Sequence, residues 1–189
     1  DTKGREADFV RALLTSWGVA VTLVDVGALG IPAVAADVPR ERIFELPTAE
    51  GYLLQGLTTV VDGNDGSSPL PLAPWFEKVQ ATTVSPNVAA FVGQGTVREA
   101  VMGTANRKAT AAEIAKMQAL VAQAMQDGAM GLSTGLAYVP GAYTPTDEIV
   151  ALATTARENR GIYIAHMRDE GGGVLESVRE TIAIGERAR

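Results

Sequence analysis

The sequence predicts an α/β fold assembled from parallel β/α units. Short β-branched apolar runs alternate with helix-period stretches about four times, at roughly 35 residues per unit. Strand, helix and strand in succession imply parallel neighbours joined by right-handed crossovers. A 47% hydrophobic content with 20 glycines suits a globular chain and excludes a disordered or collagenous one. Two architectures accommodate such units, an open doubly wound sheet and a (β/α)8 barrel. A complete barrel takes roughly 250 residues, so a chain of 189 holds only part of one.

The elements follow from local patterning. Phe9, Val10, Leu13, Leu14 and Trp17 recur at helical spacing and predict an amphipathic helix over 5–17, ended by Gly18. Val19 to Val26 is a β-branched run that reads as a buried strand, followed by an irregular loop to Pro39. Gly56 to Val61 predicts a second strand, stopped by the turn cluster Asp62 to Pro69. Asn87 to Val92 predicts a third, ending at Gly93-Gln94-Gly95. Thr110 with Glu113 forms a capping box ahead of a helix over 110–127, whose apolar face is Ile114, Met117, Leu120, Val121, Ala124 and Met125. Ala129 to Leu136 predicts a glycine-interrupted strand. Thr144 and Pro145 predict the N-cap and first turn of a helix reaching about Asn159. Gly161 to Ala165 predicts a further strand, and Val174, Leu175, Val178 and Ile182 mark a last helix.

Composition narrows the chemistry. The absence of cysteine excludes a disulfide framework, a zinc finger and a thiol nucleophile. A single histidine excludes an internal multi-histidine metal cage. The net charge of −6 argues against a nucleic-acid partner. No run is long and apolar enough for a membrane span, and no charged-then-apolar leader opens the sequence, so the expectation is a cytoplasmic chain without a membrane partner.

Few residues can carry chemistry. His166 follows the Gly161–Ala165 run, at the strand end where parallel α/β folds place their sites, and can ligate a metal or shuttle a proton. From position alone the plainer reading is a histidine hydrogen-bonded at a strand end. Asp65, in Gly63-Asn64-Asp65-Gly66, occupies the equivalent edge and can bind a cation or simply form an Asx turn. Gly93-Gln94-Gly95-Thr96 can present backbone N–H groups to an anion, or serve as an ordinary turn. Gly131-Leu132-Ser133-Thr134-Gly135 matches the letters of a nucleophile elbow, but a Pro-Gly loop follows where the elbow needs a helix. Lys3 and Gly4 precede the first helix and can meet a phosphate there, although the order is not that of a Walker loop.

From about residue 47 to 189 the chain resembles the D-aminoacylase (N-acyl-D-amino-acid deacylase) branch of the amidohydrolase superfamily. The stretches that carry the resemblance are Gln55 to Val61, Gly63 to Pro69, Gly131 to Gly141 and Tyr163 to Glu170, in that order. The resemblance implies a partial TIM-like (β/α) barrel and zinc-dependent hydrolysis of N-acyl-D-amino acids. It implies His166 and Asp65 as zinc ligands, Asp65 standing where many members carry a cysteine, and Tyr138 near substrate. The family's His-x-His after its first strand is absent upstream of residue 47. Residues 1–46 resemble instead the ATP-binding N-terminal domain of the tobamovirus-resistance-protein group, on Asp1 to Glu6, Leu23 to Gly27, Asp37-Val38, Arg40 and Glu41. That second resemblance implies an ATP site at Lys3 and Gly4, and a chimeric chain with an N-terminal α-β unit packed on the edge of the barrel.

Three functional readings follow: an amidohydrolase-type chain, a non-catalytic α/β scaffold, and a nucleotide-binding module built on residues 1–46. Exposed sheet edges on a partial barrel also predict self-association.

Overall fold

The computed structural model describes residues 4–21, 35, 37, 57–82 and 86–189. The chain divides into two compact units, Asp1–Thr59 with Val84–Asn87, and Val60–Thr83 with Val88–Arg189.

In the first unit, helix α1 (Gly4–Ser16) follows the amphipathic stretch. It ends in a Schellman arrangement: Val19 N donates to Leu14 O at 3.1 Å and Gly18 N to Thr15 O at 2.9 Å. Gly18 sits at φ +78°, which a side chain would strain. Phe9, Val10, Leu13 and Trp17 are exposed. Most of the predicted Val19–Val26 strand lies outside the described residues, and with it the predicted packing of this segment on a sheet edge.

The second unit holds the repeated β/α pattern. Strand β1 (Thr59–Asp62) pairs with β2 (Asn87–Ala90). Between them lies α2 (Ala73–Ala81), a helix the periodicity reading missed although Pro74 marks its first turn. The single strand predicted over Asn87–Val92 is two, because the chain changes partner at Phe91. Phe91 N donates to Asp62 O at 2.9 Å, whereas the next strand, β3 (Val92–Gly93), pairs with β4 (Gly131–Gly135). Helices α3 (Gln94–Met102) and α4 (Ala111–Gln126) separate β3 from β4. A 3-10 turn (Gly141–Tyr143) and α5 (Thr146–Glu158) lead to β5 (Ile162–His166), and α6 (Val174–Arg187) follows.

Strands β3, β4 and β5 form a parallel sheet in chain order. Val92 is opposite Leu132, Leu132 opposite Tyr163, and Gly135 opposite His166. Alternate residues of a strand face opposite sides. Leu132 and Tyr163 therefore share one face, which joins the core with Val97, Met117, Val121, Leu152 and Ile184. Ser133 and Gly135 share the other face with Ile164 and His166.

Two polar devices hold the helices. The capping box is present, with Thr110 Oγ1 accepting from Glu113 N and Glu113 accepting from Thr110 N, a motif whose cap alone contributes about 1 kcal/mol. The fully buried Arg98 pairs with the buried Glu148. Arg98 also donates to Ala105 O and Arg107 O, and Glu148 accepts from Ala109 N. The pair thereby stitches the α3–α4 connection onto α5. Thr144 does not cap α5 as predicted: Pro145 is the N-cap, and the buried Thr144 hydroxyl accepts from Gln94 Nε2 at 2.9 Å.

Candidate functional site

The loops that leave β1, β4 and β5 converge within the second unit, at the strand ends where parallel sheets build sites. The Gly63–Gly66 turn begins with Gly63 N donating to Asp62 Oδ1 at 2.7 Å. It is pressed against β4. A Cβ on Gly66 would lie 2.2 Å from Gly135 N, and one on Gly135 would lie 2.3 Å from Asp65 O, so neither position has room for a side chain. Gly66 also sits at φ +76°. Ser133 Oγ accepts from Gly66 N at 3.1 Å and donates to Gly63 O at 2.5 Å. Gly95 N donates to Gly66 O at 2.9 Å, with Thr96 N at 3.4 Å from the same oxygen. Gly93 N donates to Ser68 Oγ at 2.9 Å. Of the two readings of Gly93 to Thr96, the anion site is not supported: the N–H groups of Gly93, Gly95 and Thr96 bond instead to Ser68 Oγ and Gly66 O.

His166 is the last residue of β5, one residue beyond the predicted strand, and its carbonyl accepts from Leu136 N at 3.1 Å. Its Nδ1 lies 2.5 Å from Asp65 Oδ1, and Glu170 Oε1 lies 3.6 Å from its Nε2. The Tyr138 ring meets the imidazole edge-on, with centroids 4.9 Å apart. Three of the residues singled out in the sequence, Asp65, Tyr138 and His166, are thus brought together. The side chains of Asp65 and His166 are 50% and 25% exposed, so the pair faces solvent on one side. The imidazole thus has a carboxylate beside each ring nitrogen, Asp65 at Nδ1 and Glu170 at Nε2.

Arg168 lies in the Tyr163 to Glu170 stretch and has no role in the sequence reading. It donates to Ala142 O and Thr144 O at 3.0 Å, and pairs with Glu180 at 3.0 Å. It fastens the loop after Tyr138 to the exit of β5. Burial opposes ionisation of Glu180, but hydrogen bonds from Arg168 and Thr146 outweigh it and hold the carboxyl below its usual range. Burial pushes the Tyr163 hydroxyl up, partly offset by its hydrogen bond with Thr134. Ser133 is buried at mid-strand with both hydrogen-bonding functions engaged, which disposes of the nucleophile-elbow letters.

An imidazole and a carboxylate are both zinc donors, and here they stand side by side. A catalytic zinc takes three protein ligands. Among the described residues no group of three or more His, Asp or Glu side chains is placed to hold a metal. The pair fits zinc in donor type and falls short in donor number. Lys3 lies outside the described residues, and Gly4 is the first residue of α1. Among the described residues no helix is long and apolar enough to cross a membrane.

No protein-family model matches the chain. It is 38% identical to a D-aminoacylase of Alcaligenes xylosoxydans xylosoxydans, the match covering 69% of this chain and 32% of that protein. It is 36% identical to an N-acyl-D-aspartate deacylase of the same organism, over 72% of this chain and 34% of the relative. Among solved structures, it matches the N-acyl-D-glutamate deacylase of Bordetella bronchiseptica, complexed with zinc and a phosphonate inhibitor. That match has a TM-score of 0.70 and 37% identity, over 75% of this chain and 34% of that one. A D-aminoacylase structure described by its binuclear metal centre matches with a TM-score of 0.66 and 37% identity, over 71% of this chain and 33% of that one. None of these matches supports the ATP-binding resemblance of residues 1–46, an ATP cofactor or a chimeric origin. The homologues and structural neighbours of this chain are D-aminoacylases and N-acyl-D-amino-acid deacylases, amidohydrolases of which it spans about a third of the length.

Proposed function

We propose that this chain carries part of the metal-binding side of a zinc-dependent hydrolase that removes the acyl group from N-acyl-D-amino acids. In this reading the parallel strands, neighbours in chain order without reversal, form part of a TIM-like barrel. His166 and Asp65 contribute to the zinc ligand set, and Tyr138 lines the space where substrate sits. Zinc would supply Lewis acidity at that point. The chain's own residues orient the imidazole through Asp65 and wall one side of it with the Tyr138 ring. The observation that carries the reading is the contact of His166 with Asp65 across the ends of β5 and β1.

A second assignment of Asp65 is favoured by the direct Nδ1 contact. The carboxylate then orients the histidine instead of sharing its metal, which leaves Nε2 as the ligating atom. Zinc titration of the purified chain tests both. Stoichiometric uptake abolished by His166→Ala supports the proposal, and uptake that survives this change overturns it. Asp65→Asn separates the two assignments, because an orienting role tolerates the amide better than a ligating one. Deacylation of N-acetyl-D-amino acids in the presence of zinc is the functional assay. Self-association is part of the same reading, since β5 has only β4 as a sheet neighbour among the described residues and Ile162 is exposed. Sedimentation velocity reads it directly.

A further inference from the structure

We propose that Ser133 is a positioning residue for the Asp65–His166 pair, its buried hydroxyl closing the Gly63–Gly66 turn so that the carboxylate meets the imidazole. The inference rests on reading that pair as the functional centre, whether Asp65 ligates or orients.

Two backbone groups of the turn between Gly63 and Gly66 bond to β4, Gly63 O and Gly66 N. Ser133 Oγ is the single atom that serves both, donating to the first at 2.5 Å and accepting from the second at 3.1 Å. A hydroxyl can do both at once, which a methyl or an ammonium cannot. Ser133 is fully buried, so no water substitutes for it at bulk cost, and removing the oxygen leaves both backbone groups without this partner. Asp65 lies between the two anchored residues, with its own carbonyl packed where a Cβ of Gly135 would stand. Gly135 is the register partner of His166. The same two residues of β4, Ser133 and Gly135, therefore fix the acidic turn from one side and abut the histidine strand on the other. The small residues of Gly131-Leu132-Ser133-Thr134-Gly135 acquire a purpose in this arrangement. The glycine at 135 admits the turn, and the serine ties its ends.

His166 is the only histidine of the chain, so its ring resonances are unambiguous. Ring 15N and Nδ1–H signals of the metal-free protein are recorded at about pH 8, above the ordinary imidazole range. Asp65→Ala defines the signal of a ring without its carboxylate. Ser133→Ala is expected to lose the protected Nδ1–H signal and to shift most of the way to that of Asp65→Ala. Ser133→Thr, which keeps the hydroxyl, restores it, whereas Ser133→Val, isosteric with the threonine variant, does not. The Thr and Val pair carries the test if Ser133→Ala does not fold, because the two differ in the hydroxyl at equal volume. A folded Ser133→Ala or Ser133→Val with the wild-type signal overturns the inference, as does a wild-type signal identical to that of Asp65→Ala. Zinc titration is run in parallel. Failure of the wild-type chain to take up zinc overturns the metal reading and leaves the positioning role to be decided by the ring signals.

Discussion

Nδ1 of His166 and Oδ1 of Asp65 lie 2.5 Å apart, although 101 residues separate them in the chain. The contact joins the end of one strand to the turn after another. Losing the carboxylate frees the imidazole to rotate and to change tautomer. Asp65→Ala is expected to weaken zinc binding by about 10–100-fold, measured by competition with a chromophoric chelator. Unchanged affinity would show that the contact has no part in metal binding.

The close approach of the acidic turn to β4 predicts that Gly66 cannot be replaced. Its φ is +76°, and a Cβ there would stand 2.2 Å from Gly135 N. Gly66→Ala must either move the turn or strain the strand, and is expected to cost ~2 kcal/mol or more in urea unfolding. Gly172 has nothing near its missing Cβ and no left-handed φ, so Gly172→Ala serves as the control with little effect.

The Arg98–Glu148 pair is buried on both sides, and three further bonds to backbone groups depend on it. Removing one partner leaves an uncompensated charge in the core. Glu148→Leu is expected to destabilise by about 3–5 kcal/mol. Replacing both residues by apolar ones of similar volume is expected to recover most of that loss, read from the two denaturation midpoints.

Acid stability follows from two carboxyls held below their ordinary range. The Arg107 guanidinium and the Thr110 N–H and hydroxyl lower Glu113, and Arg168 and Thr146 lower Glu180 against the opposing effect of burial. A depressed folded pKa means that the stabilisation is complete above the ordinary carboxylate value of about 4.3. It is lost as pH falls through the lower folded values. Thermal stability is therefore expected to fall below about pH 4, and Glu180→Gln is expected to flatten that fall. A melting profile with the same slope in wild type and variant would count against the assignment to Glu180.

Much of the chain is written locally. Thr110 and Glu113 specify their capping box within four residues, and Gly18 terminates α1 through its own backbone freedom. The strands Gly131–Gly135 and Ile162–His166 fall within or one residue from the predicted Ala129–Leu136 and Gly161–Ala165, and His166 closes the second just after its apolar run stops. The stretches that resemble the deacylases contain Asp65, Tyr138 and His166. Each of these depends on residues within about a turn of one another, where intrinsic preferences act. The tertiary structure alone decided which distant groups meet. It split the Asn87–Val92 run at Phe91 by offering that backbone a different partner, and it took Thr144 away from α5 to bond Gln94. It also gave Ser133, which the sequence left without a role, two bonds to the acidic turn. Such roles arise only when the order of strands in the sheet fixes which backbone groups face each other, and no local preference encodes a bond across 70 or 101 residues.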